Sequence, residues 1–204
     1  MNIADVVAHW PVVSSAEELR GRVVTVRIDK VRTPDNLLTE REVVLHPGAV
    51  AILALDAADR ILVIRQYRHP VGRLLWEIPA GLRDVAGEDP LVTAQRELVE
   101  EAGYRARDWR LLVDYYSSPG YSTERLRIYL ARDLEPVPAA ERNFVPEDEE
   151  AHLLLGWLPL GEGVRKVFAG EMHNGVAALA IMAGYAARSE GYNRLRPADV
   201  PEEQ

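Results

Sequence analysis

Residues 22–32 read RVVTVRIDKVR, an alternating stretch rich in β-branched side chains. Successive side chains of a strand point to opposite faces, so this pattern predicts an antiparallel strand with one dry and one wet face. Thr33-Pro34-Asp35-Asn36 has the composition of a turn, and a second extended run follows at 37–45. Together they predict a small N-terminal antiparallel sheet, whereas residues 1–20 carry no decisive pattern. After His46-Pro47-Gly48 the run AVAILAL, residues 49–55, is apolar without interruption, as in a strand buried on both faces. Residues 61–67 pair back across a turn at 56–60, so a second sheet begins near residue 48. Further strands are expected at 74–78, 109–116, 125–130 and 150–158, with helices at 159–169 and 174–189. In the last of these Val176, Leu179, Ala180, Ala183 and Ala187 keep helical spacing. The tail from Gly191 is polar and contains proline, and is expected to be loosely held. This order of strands, helix, strands and helices predicts the α/β class: a three-layer α/β/α sandwich with a mixed sheet and a small N-terminal sheet in front. The expected domains are an N-terminal β-sheet region at 1–47, a catalytic domain at 48–190 and a polar tail at 191–204.

One helix carries the chemistry. Asp89 can cap it, Pro90 suits its first position, and Gly103 can close it. Leu91, Ala94, Leu98 and Ala102 form its apolar stripe. Glu97, Glu100 and Glu101 fall within an arc of roughly 100° beside that stripe. Like charges four residues apart destabilise a helix by about 0.2–0.5 kcal/mol per pair, and Arg96 can offset part of this. A solvated acidic face is the ordinary explanation of such a run. The alternative is a missing positive charge, and hard divalent cations such as magnesium take carboxylate oxygens while waters and phosphates complete the shell.

Composition narrows the choice. The net charge of −8 disfavours a nucleic-acid partner, which requires lysines and arginines against phosphates. Small phosphorylated ligands stay open, since metal ions and a few arginines can hold two phosphates. The chain has no cysteine, which removes disulfides, thiolate nucleophiles and zinc–thiolate sites together. No stretch approaches the ~20 apolar residues of a membrane span, and the N-terminus lacks the basic and apolar regions of a leader, so the cytoplasm is the expected location and no membrane partner is expected. The serine-elbow, phosphate-loop and HExxH patterns are absent, and His9, His46, His69, His152 and His173 lack ligand spacing.

The stretch from Gly81 to Tyr104, GLRDVAGEDPLVTAQRELVEEAGY, closely resembles the Nudix box. Arg96 to Tyr104 match its pattern throughout, and the required seven residues separate Glu88 from Arg96. Six residues rather than five separate Gly81 from Glu88, so the loop holds one extra residue. The resemblance implies the Nudix fold, with Glu97, Glu101 and Glu100 as magnesium ligands (manganese is the alternative ion), the Ala80 carbonyl as a backbone ligand, and Glu88 bracing the loop. Flanking segments narrow it further: Arg41-Glu42-Val43-Val44, Gln66-Tyr67-Arg68-His69, Trp76-Glu77-Ile78-Pro79-Ala80-Gly81 and Ser118-Pro119-Gly120-Tyr121-Ser122 resemble the ADP-ribose pyrophosphatase subfamily. Its distinguishing proline corresponds to Pro119, fifteen residues past Tyr104. That resemblance implies metal-dependent hydrolysis of ADP-ribose to AMP and ribose 5-phosphate, in a homodimer that exchanges its N-terminal sheet. It assigns the catalytic base to Glu150, with Glu149 or Glu147 as alternatives. Arg41, Glu42, Arg68 and Glu124 become the substrate contacts. A nucleotide-sugar hydrolase acting on GDP-mannose and a non-catalytic ADP-ribose sensor are the competing expectations.

Overall fold

The structure, a computed structural model, describes residues 3–142 and 153–202. It divides into two compact units, one of residues 1–48 with 116–125 and one of residues 49–115 with 126–204.

In the first unit β1 (Val12–Arg20), β2 (Thr25–Arg32) and β3 (Leu38–Leu45) form an antiparallel sheet in the order β1-β2-β3. The strands β2 and β3 lie where the alternating pattern placed them. The strand β1 had no such signal, because all nine of its residues are exposed and nothing selects an inner face. Its conformation comes from pairing along β2, from Val12 opposite Val31 to Arg20 opposite Thr25. The segment after Ser117 docks on the end of β3: the Val44 amide donates to the Tyr121 carbonyl at 2.7 Å and the Thr123 amide to the Val44 carbonyl at 3.0 Å.

Apart from Tyr116 and Arg125, the second unit holds β4 (Ala49–Ala54), β5 (Arg60–Arg68), β6 (Arg73–Glu77), β7 (Ala80–Leu82), α1 (Pro90–Ala102), β8 (Tyr104–Tyr116), β9 (Arg125–Pro136), β10 (Leu154–Pro159), α2 (Leu160–Phe168), α3 (Gly175–Arg188) and β11 (Arg196–Pro197). A mixed sheet runs β11-β8-β9-β4-β7, with β4 parallel to β9 and antiparallel to β7. A second sheet, β10-β5-β6, is antiparallel.

The uninterrupted apolar run of β4 is explained by its two buried faces. Val50, Ile52 and Ala54 pack with Ala94, Leu98 and Ala102 of α1, while Ala51, Leu53 and Leu55 pack with Leu160, Ala177, Ala180 and Ile181 of the α2–α3 layer. Helices cover the strand on both sides, which is the α/β/α layering the pattern predicted. The helix α1 keeps its expected bounds: Asp89 Oδ1 accepts the Leu91 amide at 2.8 Å, and Gly103, at φ 71°, turns the chain out of the helix.

The tail departs from expectation. Arg196 and Pro197 pair with Leu111 and Arg110 of β8, Tyr192 is buried, and Ala198 and Val200 pack beside the α1 layer. These anchors join residues far apart in the chain, so no local window of a polar segment reveals them. None of the helices among the described residues is long and apolar enough to cross a membrane.

Candidate active site

Two short elements build the site. The strand β7 pairs with β4, Val50 opposite Gly81 and Ala51 opposite Ala80, so the box loop starts from the edge strand of the mixed sheet. The buried stripe of α1 then presses the helix onto that sheet and turns its acidic face toward β7.

The glutamates close on the first two residues of β7. Glu101 Oε2 accepts the Ala80 amide at 2.8 Å. The Glu97 side chain lies directly over Gly81: a β-carbon there would stand 2.0 Å from its Cδ and 2.3 Å from its Oε1. Glycine is required at 81 by this close approach rather than by a turn.

Arg96 ties the cluster together. Its Nη1 donates to Glu97 Oε1 at 2.7 Å and to Glu100 Oε2 at 2.9 Å, and its Nη2 reaches Glu88 Oε2 at 3.3 Å. Burial pulls the Arg96 pKa down, but the charges of Glu97 and Glu100 and the hydrogen bond to Glu88 outweigh it and leave the pKa raised. The Glu88 carboxyl is held below the usual range, first by the Thr93 hydroxyl and then by Arg96. Thr93 is fully buried and donates to Glu88 at 2.8 Å, a brace that sequence reading missed. The extra loop residue leaves this bracing intact, because Gly87 turns at φ 80° and the Glu88 amide closes onto the Val85 carbonyl at 3.1 Å.

Among the described residues no three His, Asp or Glu side chains stand together as a ready metal cage. The donor set nevertheless fits a hard divalent cation. Carboxylates of Glu97, Glu100 and Glu101 share one helix face beside the main chain of Ala80, and one guanidinium offsets part of their charge. Magnesium is usually held by one or two carboxylates, with water and phosphate oxygens completing the shell, so a closed protein cage is not required.

The remaining expected residues fall in different places. Arg68 Nε and Nη2 donate to Glu77 Oε1 and Oε2 at 2.9 and 2.6 Å; Glu77 is buried while the arginine stays 44% exposed. Glu77 stood in the Trp76–Gly81 segment already singled out, but its fork to Arg68 depends on the β5–β6 register. Arg41 and Glu42 are exposed on β3, where Arg41 donates to Thr39 Oγ1 at 2.6 Å and to the Glu40 carbonyl at 2.8 Å. Glu124 accepts the Ser117 hydroxyl and lies 3.7 Å from His46 Nε2, within the first unit. Glu147, Glu149 and Glu150 lie outside the described residues.

Known proteins resemble this chain over most of its length. The NUDIX domain profile matches residues 45–178. The chain is 45% identical over 187 residues to the ADP-ribose pyrophosphatase of Mycobacterium tuberculosis, covering 91% of this chain and 88% of that one. It is 35% identical over 161 residues to the ADP-ribose pyrophosphatase of Bacillus subtilis, covering 79% and 84%. The crystal structure of an ADP compounds hydrolase has the same fold, with a TM-score of 0.75 at 23% identity over 94% of this chain and 100% of that one.

Proposed function

The chain belongs to the Nudix family of hydrolases, and we propose that it hydrolyses ADP-ribose to AMP and ribose 5-phosphate by water attack on the diphosphate. The carrying observation is the closure of Glu97 and Glu101, from one face of α1, onto Gly81 and Ala80. The similarity to two ADP-ribose pyrophosphatases supports the choice of substrate.

A diphosphate repels hydroxide, so its hydrolysis depends on neutralising charge, aligning water and phosphorus, and accepting a proton. We assign the divalent cation, magnesium with manganese as the alternative, to Glu97, Glu101 and Glu100 with the Ala80 carbonyl. Bound there, it neutralises diphosphate charge and lowers the pKa of water. Arg96 keeps Glu97 and Glu100 from repelling one another, and Glu88 with Thr93 steadies Arg96. Arg68, oriented by Glu77, is the proposed diphosphate contact. Arg41 and Glu42 are assigned to the adenosine half and Glu124 to the terminal ribose. The proton acceptor is Glu150, with Glu149 and Glu147 as alternatives.

The test is turnover in oxygen-18 water, with ADP-ribose and GDP-mannose as competing substrates. ADP-ribose is expected to give AMP and ribose 5-phosphate, with a higher kcat/KM than GDP-mannose and no turnover in a chelator. Preference for GDP-mannose would replace the substrate, and binding without metal-dependent turnover would leave a sensor. In the same assay Glu150→Gln is expected to cost roughly 10²–10⁴-fold in kcat, the usual range for a general base. Retained activity would move the role to Glu149 or Glu147.

A homodimer that exchanges its N-terminal sheet, in the cytoplasm, completes the proposal. Every residue of β1 is exposed, including Val12, Val13 and Leu19, as are Val6 and Val7 ahead of it and Leu38 at the start of β3. Exposed apolar side chains in this number support an interaction surface here. Sedimentation velocity at micromolar concentration is expected to show a dimer; a monomer there would remove this part of the proposal.

A further inference from the structure

Arg127 is an arginine at the centre of the mixed sheet with a side chain only 3% exposed. It sits in register with the box loop: Gly81, Val50 and Arg127 are cross-strand partners on β7, β4 and β9. Burying a guanidinium is costly without compensating charge and hydrogen bonds, so its partners matter. On one side Asp114 accepts its Nε at 2.8 Å and its Nη2 at 3.3 Å, and the same carboxylate takes Arg196 Nη2 at 3.1 Å. On the other side the partners come from the tail: the Val200 carbonyl accepts Nη1 at 2.8 Å, and Glu202 Oε1 lies 3.9 Å from Nε.

Glu202 then reaches back to the box loop. Its two carboxylate oxygens take Arg83 Nη1 at 2.8 and 3.0 Å. Arg83 directly follows β7, two residues beyond Gly81, and its Nε is buried without an acceptor. Among the described residues Glu202 is the acid that pairs with Arg83. The chain's last described residue therefore bridges the buried sheet arginine and the loop that seats Glu97 and Glu101.

We propose that Glu202 is a positioning residue for the box loop: through Arg83 it holds Ala80 and Gly81 where the two glutamates close on them. The inference rests on the box being the catalytic site. Without Glu202 a largely buried guanidinium loses its counter-charge next to β7, and the loop gains an alternative arrangement that lets Arg83 reach water. The strap acts on the geometry of the glutamates and makes no contact with the reacting atoms.

The test uses the full chain with Glu202→Gln, Arg83→Gln and the double variant. Three quantities are read: amide hydrogen exchange across residues 80–88 without metal, manganese binding by electron paramagnetic resonance, and kcat and KM for ADP-ribose. Each single variant is expected to speed exchange at 80–88 and weaken manganese binding by about tenfold, the scale on which partners of metal ligands act. The kcat is expected to fall with little change in KM, and the double variant to be no worse than either single one. Unchanged exchange at 80–88, additive effects in the double variant, or faster exchange throughout the core would each overturn the proposal. Exchange and manganese binding remain readable if the parent does not turn over ADP-ribose, so failure of the substrate assignment is distinguished from failure of the strap.

Discussion

Glu97→Gln and Glu101→Gln are each expected to lower kcat for ADP-ribose by roughly 10³-fold, since removing charge stabilisation from a closed site typically costs several kcal/mol. The thermal midpoint is expected to hold or rise slightly. In the folded protein Glu97, Glu100 and Glu101 crowd one helix face, and one guanidinium is shared between Glu97, Glu100 and Glu88. Neutralising one carboxylate relieves repulsion of about 0.2–0.5 kcal/mol per pair, which offsets the lost ion pair. A glutamine at 101 can still accept the Ala80 amide through its carbonyl oxygen, so the tether to β7 survives while the charge does not. Glu101→Ala removes both, and the contrast between the two variants separates the charge from the tether. The measurements are steady-state rates across a metal titration and a thermal melt. Activity retained within about threefold in either glutamine variant would show that its carboxylate is not needed in the transition state, and the metal assignment would fail.

Gly81→Ala is expected to be nearly as harmful to activity and almost neutral for stability. The added methyl would stand 2.0 Å from Glu97 Cδ and 2.4 Å from its Cγ, distances that real β-carbons do not adopt. The collision is with the end of a flexible side chain, so the cheapest response is for Glu97 to swing away while the backbone stays paired with Val50. Alanine also lowers the entropy of the unfolded chain relative to glycine. A displacement of about 1 Å in a catalytic group can cost 10²-fold, and that is the expected fall in kcat. The test pairs kcat with the thermal midpoint. A large loss of stability would mean that the main chain moved, and unchanged kcat would mean that Glu97 has no need of its seat over Gly81.

These two variants also mark how far the sequence could be read. The acidic face of α1 was legible because residues three and four apart on a helix are neighbours whatever surrounds them. The caps at Asp89 and Gly103 were legible for the same reason, since each acts within a turn of itself. The strand β4 was legible from its unbroken apolar run, which two packed faces require. The seat of Glu97 over Gly81 was not, although both residues belong to the resemblance, because it requires β7 to pair with β4 and α1 to cross above. Glu77 offered a weak signal in the Trp76–Gly81 segment, but its hold on Arg68 follows from the pairing of β5 with β6. The polar tail read as loose because its anchors, Arg127 and Arg83, lie 73 and 119 residues away from the atoms they bind.

The amino-acid order by itself determined the α/β class, the order of the principal strands and helices, the helix that bears the carboxylates and, through a resemblance, the family to which the chain belongs. The class, the principal elements and the carboxylate helix follow from periodicities and spacings within a few turns or strands, and the family from the resemblance of residues 81–104 to the Nudix box. Tertiary structure alone decided that Glu101 grips the Ala80 amide, that β1 is a strand with no buried side, and that the tail reaches the box loop through Glu202. Each of those depends on which strands pair and in what register, a choice made by burial of the whole core and not by neighbours in the chain.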